Sequence, residues 1–174
     1  MGTGERKDEL RVEPPEADRP PRSVGFLISQ LGFVSSRGFH EALAPAGIDP
    51  REFLLLRFVA ASSGLSQQAL AERLGIPPSR MVALVDRLEE QGLVERRADA
   101  EDSRVRALHL TRKGSRVLER AAKIAIEYEL QLCVGLKEGE RDQLIDLLQK
   151  LQPPDLTKRG VHPGLARDRS QFTD

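Results

Sequence analysis

Apolar residues in the middle of the chain recur mostly at three- and four-residue spacing, which is the period of an amphipathic helix. The first run predicts a helix over about residues 22–43, ended by Pro45 and Gly47. The next helix begins at Asp49, which we expect to be its N-cap, with Pro50 in the first turn. This second helix is apolar on nearly every face, so we predict that it is buried.

Two short helical patterns follow, and a turn of about three residues separates them. The first covers residues 65–75, with Ser66 as N-cap and Gly75 at its end. The second begins at Pro77–Pro78 and ends at Gly92. Two helices joined in this way predict a helix-turn-helix, in which the second helix enters the major groove of DNA.

Two strand-like runs come next, residues 93–97 and 104–110, and the polar stretch between them predicts a β-hairpin. Thr111 then caps a long helix, and a last helix is predicted over about residues 137–151. The predicted fold class is mainly α with a small β-hairpin wing. This is a winged helix-turn-helix with further helices before and after it.

The two ends of the chain are rich in proline and charge and poor in large aliphatic residues. Such segments bury too little apolar surface to offset the entropy lost on ordering. We therefore divide the chain into a disordered N-terminal arm at 1–22, a first helix at 23–48, a winged helix-turn-helix region at 49–114, two C-terminal helices at 115–152 and a flexible tail at 153–174.

Charge and composition narrow the classes of protein that remain. The 174 residues include 27 Lys+Arg and 27 Asp+Glu, so the formal net charge is zero. Bulk positive charge therefore cannot hold nucleic acid, and DNA binding must depend on where individual arginines lie. No apolar run approaches the ~20 residues that a membrane span needs, and the N-terminus has no signal-peptide core. We therefore expect a cytoplasmic protein.

No cluster of residues indicates a catalytic, metal or cofactor site. The three histidines are far apart in the sequence, with no second ligand three or four residues away. The single cysteine, Cys133, excludes an intrachain disulfide, and we expect a small buried hydrophobic residue there rather than a redox sensor. We predict a protein that is not an enzyme, needs no cofactor and acts by occupying DNA.

Arginines cluster on the elements that are expected to meet DNA. Arg80 and Arg87 are seven residues apart on the second helix of the motif, so they share a side. An arginine can bind guanine O6 and N7 together, or clamp a phosphate. The predicted wing carries four more, namely Arg96, Arg97, Arg104 and Arg106. The alternative is a solvated surface whose arginines pair with local acids such as Glu95, Glu101 and Asp102.

Residues 76–114 resemble the signature of the MarR family of bacterial transcriptional regulators. The matching pieces are Val85-Asp86-Arg87-Leu88-Glu89, Gly92-Leu93-Val94 with Arg96 or Arg97, Asp102-Ser103-Arg104, and Leu110-Thr111 with Gly114. The family's wing carries Asp and Arg eight and six residues before the Leu-Thr pair, and this sequence keeps both spacings. Two positions depart from the family pattern. Ala100 replaces a frequent proline in the wing, and Val82-Ala83 replaces a frequent Thr-Arg.

The resemblance implies a homodimer whose first and last helices form the interface between the two copies. The dimer would bind a double-stranded, pseudo-palindromic operator, with repression as the default, and a small phenolic or aromatic anion would release it. Arg104 would enter the minor groove, and Asp102 would help hold the wing tip. The full implied set of DNA-binding residues is Ser66, Gln67, Ser79, Arg80, Val82, Ala83, Arg87, Arg96, Arg97, Asp102 and Arg104.

The effector site is the least constrained prediction. In the family it lies between the dimerisation helices and the winged helix, where Phe33, Arg37, His40 and Phe53 are candidates because aromatic walls and one cation suit an aromatic anion. The alternative is that the aromatic residues belong to the core and that Arg37 pairs on the surface. The competing function is a winged-helix protein-interaction module with no specific operator.

Overall fold

The structure is a computed structural model that describes residues 23–62, 64–98 and 106–153. Six α-helices and one β-hairpin are present in this part of the chain. They follow one another as α1 (Val24–Leu43), a 3-10 turn (Ala44–Ala46), α2 (Pro50–Ala61), α3 (Gln67–Leu74), α4 (Pro78–Glu90), β1 (Val94–Ala98), β2 (Arg106–Leu110), α5 (Arg112–Leu132) and α6 (Glu140–Leu151).

The predicted helix caps are confirmed. The Asp49 carboxylate accepts the backbone N–H of Glu52, and the Glu52 carboxylate accepts that of Asp49, which is a capping box. The Ser66 hydroxyl accepts the N–H of Ala69, and the Thr111 hydroxyl accepts the N–H of Gly114. Each cap satisfies backbone donors that the first turn of a helix leaves without a partner.

Two predictions near the C-terminus are corrected, one on a helix start and one on the burial of Cys133. The last helix begins at Glu140 rather than near residue 137, because Gly139 has φ of 81°, a left-handed conformation that a right-handed helix cannot contain. Cys133 ends α5 as its C-cap and is half-buried rather than buried. It lies beyond the part of α5 that is packed into the core.

The hairpin is antiparallel, with Val94 opposite Leu110 and Ala98 opposite Arg106. The wing tip, residues 99–105, lies outside the described residues. The segment before α3 also joins this sheet, because the Leu108 N–H donates to the Leu65 carbonyl over 3.0 Å. The start of the helix-turn-helix is thus attached to the wing by backbone hydrogen bonds, a contact that the hydrophobic pattern did not predict.

The chain divides at Ser35 into two compact units. The described part of the first unit is the beginning of α1, whose large apolar side chains are exposed: Val24, Phe26, Leu27, Ile28, Leu31, Phe33 and Val34. The second unit holds the hydrophobic core. The largest fully buried apolar side chains there are Leu43, Leu55, Leu56, Leu70, Met81, Leu88 and Leu108.

The burial predicted for α2 is confirmed, since five of its twelve residues are buried. One of these five residues, Glu52, is charged, although only 1% of it is exposed. None of the helices in the described ranges has a stretch apolar and long enough to cross a bilayer.

The wing is fastened to the start of α5 at a point where only glycine fits. A Cβ atom added to Gly114 would lie 1.9 Å from the Leu93 carbonyl oxygen, far inside van der Waals contact. That oxygen also accepts the backbone N–H of Thr111 over 3.1 Å, so it has little freedom to move away. The glycine therefore permits the close approach of α5 to the residue that precedes β1.

We expect Gly114→Ala to lower the free energy of unfolding by about 2–4 kcal/mol, since the added methyl group must displace hydrogen-bonded backbone. Denaturant unfolding followed by circular dichroism measures this change. Gly135→Ala is the matched control, because a Cβ at Gly135 meets nothing within 4 Å. If the two variants were equally stable, the approach of Gly114 to the Leu93 carbonyl would be less close in solution than in the structure.

Candidate DNA-binding interface

Helix α4 has one buried face and one exposed face. Met81, Val85 and Leu88 recur at helical spacing and are packed into the core. On the other side Ser79, Val82 and Ala83 are exposed, and Arg80 is half-buried. An α-helix that presents an exposed face in this way has dimensions suited to the major groove. The side chains predicted for the recognition face do therefore share one accessible side of α4.

Arg87 is on the same helix but is tied back to the protein. Its Nε lies 2.9 Å from Oε1 of Glu52 on α2, although half of the Arg87 side chain remains exposed. The Gln91 side-chain amide donates to the same carboxylate oxygen over 3.3 Å. Glu52 thus links the N-terminus of α2 to the last turns of α4. Sequence patterns do not predict this partner for Arg87, because 35 positions separate the two residues.

The two consecutive arginines of β1 have different surroundings. The Arg97 side chain is 59% exposed, and its ion-pair partner in the described chain is Glu95 on the same strand. The Arg96 side chain is 24% exposed and is surrounded by hydrogen-bond acceptors. It donates to Asp86 and Glu89, both on α4, and to the Oε1 atom of Gln67 on α3.

The carboxylates around Arg96 favour its protonated form. Burial of the side chain lowers the pKa of Arg96, but the hydrogen bond to Asp86 and the nearby charges of Glu89 and Asp86 outweigh it. The net effect raises the pKa of Arg96 above its ordinary value. The guanidinium is thus a permanent cation between two carboxylates.

Glu89 belongs to the group of residues that surround Arg96. The Glu89 carboxylate receives both the side chain and the backbone N–H of Arg96. Asp86 and Glu89 are three residues apart on α4 and so share a side of the helix. That spacing, with an arginine on the strand that folds back, was a signal in the sequence for this cluster.

The remaining DNA-binding candidates are placed as follows. The Ser66 hydroxyl caps α3, and Gln67 is the first residue of that helix. Asp102 and Arg104 lie outside the described residues, so their roles stay predictions.

The effector candidates have separate environments. Phe33 is 72% exposed in the first unit. In the second unit His40 is exposed, and Arg37 makes an exposed ion pair with Glu41 at 2.8 Å. Phe53 is 6% exposed, and its ring meets the Phe39 ring edge-on at a centroid separation of 6.0 Å.

Two further residues complete an aromatic cluster around Phe39 in the second unit. The Tyr128 ring centroid lies 5.5 Å from that of Phe39. The guanidinium carbon of Arg57 lies 5.8 Å from the centre of the Phe53 ring, within reach of a cation–π contact. We define these four side chains, Phe39, Phe53, Arg57 and Tyr128, as the aromatic cluster. Apart from Phe53, its members were not among the sequence predictions.

Known proteins resemble the chain over most of its length. The profile of the MarR family matches residues 46–105. A protein described as a transcriptional regulatory protein for the hcr operon of Thauera aromatica is 31% identical over 153 residues, which cover 83% of this chain and 92% of the relative.

Solved structures show the same fold. The transcriptional repressor CouR bound to a 23-mer DNA duplex superposes with a TM-score of 0.66 at 32% identity, covering 74% of this chain and 92% of CouR. CouR, from Rhodococcus jostii RHA1, is also known bound to p-coumaroyl-CoA. The Mycobacterium tuberculosis MarR family protein Rv2887, in complex with salicylic acid, superposes with a TM-score of 0.59 at 29% identity, covering 78% and 99%.

The helix-turn-helix, the hairpin and the exposed face of α4 define a winged helix-turn-helix DNA-binding protein. The chain belongs to the MarR family of transcriptional regulators, as the family profile and the relative from Thauera aromatica show.

We expect Glu52→Ala to lower the free energy of unfolding by about 2–4 kcal/mol, because it removes half of the capping box and leaves Arg87 and Gln91 without their acceptor. Glu52→Gln keeps one oxygen for the capping bond to Asp49 but turns an NH₂ group toward the donors of Arg87 and Gln91, so its cost should be smaller, about 1–2 kcal/mol. Thermal and denaturant unfolding measure both values.

Glu41→Gln is the control for this comparison. It removes an exposed partner of Arg37 and should change stability by less than about 0.5 kcal/mol. If Glu52→Ala cost no more than Glu41→Gln, the buried carboxylate would not join α2 to α4 in solution.

Proposed function

We propose that the protein is a homodimeric repressor that binds a pseudo-palindromic operator and leaves it when a small aromatic anion binds. The observation that carries the DNA-binding part is the exposed face of α4, with Ser79, Val82 and Ala83 accessible while the opposite face is held by the core. Val82 offers a methyl surface, 42% exposed, that suits the methyl group of thymine.

Positive charge for the phosphate backbone would come from individual arginines, since the net charge is zero. Arg97 supports this role because its side chain is mostly exposed at the edge of the wing. The resemblance to the family supports Arg104 for the minor groove, where a narrow groove concentrates negative potential. With few phosphate contacts, non-specific binding should be weak, and selectivity would rest on base contacts and operator symmetry.

The exposed apolar side chains support the homodimer. Seven of them lie on the beginning of α1, where five form one apolar stripe and Phe26 and Phe33 lie on a second face. Helix α6 is similar, with Leu144, Leu147, Leu148 and Leu151 all exposed. Such stripes become favourable when a second copy covers them, at about 25 cal/mol per Å² of apolar surface. A two-fold dimer would then place two α4 helices one helical turn of DNA apart.

The aromatic cluster supports an aromatic anion as effector. Relatives of this chain are known with salicylic acid and with p-coumaroyl-CoA, and both of those ligands contain an aromatic ring. In this chain Arg57 supplies a cation over the Phe53 ring, which in turn contacts the Phe39 ring. Phe33, Arg37 and His40 stay predictions from the sequence for the effector site. A ligand held there would act by favouring a spacing of the α4 helices that does not fit the operator.

We expect the protein to sediment as a dimer and to bind one duplex of about 16–20 base pairs from the DNA upstream of its own gene. Arg104→Ala should weaken this binding by about 1–3 kcal/mol, because one minor-groove or phosphate contact is lost. Analytical ultracentrifugation and fluorescence anisotropy at several salt concentrations measure the two properties. A stable monomer at micromolar concentration would refute the dimer. Failure to prefer any upstream duplex over random DNA would favour the protein-interaction alternative.

We expect salicylate or a hydroxycinnamate to raise the melting temperature and to weaken operator binding at the same concentrations, because the ligand binds one state of the dimer preferentially. Arg57→Gln should reduce both effects severalfold, whereas Arg51→Gln, on the same helix, should leave them unchanged. Differential scanning fluorimetry and anisotropy competition provide the measurements. A broad panel of phenolics and carboxylates that changed neither property would remove ligand control from the proposal.

A further inference from the structure

We infer that Arg96 is a positioning residue rather than a DNA contact, and that it orients the Gln67 amide so that its NH₂ group donates to a phosphate oxygen of the DNA backbone. The inference rests on the proposed DNA binding and assigns new roles to two residues within it. It gives Arg96 a role different from that of Arg97, although the two residues are adjacent in the sequence.

The hydrogen bonds of Arg96 connect three elements. Its Nη1 donates to Glu89, and its Nη2 donates to Oδ1 of Asp86 over 2.5 Å and to Oε1 of Gln67 over 2.9 Å. A terminal guanidinium nitrogen carries two hydrogens, so both hydrogens of Nη2 and one of Nη1 are used within the protein. The side chain therefore holds β1 of the wing against both helices of the helix-turn-helix.

The positive charge of Arg96 also offsets the negative charges of two carboxylates on α4. Asp86 and Glu89 are only half-covered, with side-chain exposures of 48% and 40%, on the helix proposed to enter the DNA groove. Two unpaired carboxylates there would repel the phosphates on either side of the groove. Arg96 lowers this repulsion because its positive charge lies directly between them.

The orientation of Gln67 follows from the chemistry of its partner. An arginine offers only donors, so the Gln67 amide must turn its oxygen toward Arg96. The NH₂ group of a planar amide then points away from Arg96. Within the described residues this nitrogen has no protein acceptor, and the Gln67 side chain is half-buried rather than freely rotating in solvent. A phosphate oxygen accepts hydrogen bonds only, so a fixed amide donor complements it.

The location of Gln67 favours the backbone over the bases. It is the first residue of α3, the first helix of the motif, which in helix-turn-helix proteins crosses the phosphate backbone while the second helix meets the bases. Contacts of this kind position the protein without carrying sequence information. Gln67 should therefore affect binding to all sequences about equally.

The first test compares Gln67→Glu with Gln68→Glu. Both variants add one negative charge at neighbouring positions of α3, but only Gln67→Glu replaces the proposed phosphate donor, and it keeps an acceptor for Arg96. We expect Gln67→Glu to weaken operator binding about tenfold more than Gln68→Glu, with random-sequence DNA affected to the same degree. Equal losses for the two variants, in a chain whose wild type binds the operator, would overturn the role of Gln67 while leaving the proposed function intact. A wild-type chain that bound no duplex would refute the proposed function and this inference together.

The second test compares Arg96→Lys with Arg116→Lys, a change at an exposed arginine of α5 outside the proposed interface. A phosphate contact tolerates lysine, but a single ammonium group cannot reproduce the forked bonds to Gln67, Asp86 and Glu89. We expect Arg96→Lys to weaken operator binding about tenfold without changing its salt dependence, and Arg116→Lys to bind within about twofold of the wild type. If Arg96→Lys bound like the wild type, or if its loss were accompanied by a smaller salt slope, Arg96 would be a DNA contact.

A third variant covers the possibility that Arg96→Lys does not fold. Asp86→Asn leaves Arg96 in place and removes one of its two charged partners. We expect faster amide hydrogen exchange in β1, because the strand is less firmly held on α4. Unchanged exchange would overturn the positioning role.

Discussion

Thr111 joins the parts of the molecule that must keep a defined geometry. Its hydroxyl donates to the Gly92 carbonyl over 2.7 Å and accepts the Gly114 N–H over 2.9 Å, while its own N–H donates to the Leu93 carbonyl. One residue thus ends β2, begins α5 and holds the turn that follows α4. Helix α4, the wing and α5 are positioned relative to one another by this junction, and the absence of a side chain at Gly114 allows them to meet.

The electrostatic attraction of this protein for DNA depends on where its charged side chains lie rather than on its net charge. Equal numbers of acidic and basic residues give no net attraction for DNA, and acids even occur on the recognition helix. The structure compensates by pairing: Arg87 lies against Glu52, and Arg96 lies between Asp86 and Glu89. Such pairs connect separate helices and strands, so they set the shape of the binding surface as well as its charge. The exposed Arg97 is then one of the cations that remain available at its edge.

The sequence was sufficient for much of the fold because the signals concerned were local. Asp49, Ser66 and Thr111 were predicted as N-caps from their own side chains and the pattern that follows each of them, and the structure confirms all three. The exposed face of α4 was also predictable, because helical periodicity separates Met81 and Val85 from Val82 and Ala83. The start of α6 was misjudged because a glycine with positive φ leaves no hydrophobic trace in the pattern.

The partners of charged residues could not be predicted in the same way. Arg96 and Arg97 are identical in type and adjacent in sequence, yet one is enclosed by α3 and α4 and the other faces solvent. That difference arises from the alternation of side chains along a strand and from the helices that the strand folds against. By itself the sequence determined the elements, their caps and the class of protein, because these depend on neighbours within a few residues. Tertiary structure alone decided which arginines are bound internally, because those contacts join residues that only folding brings together.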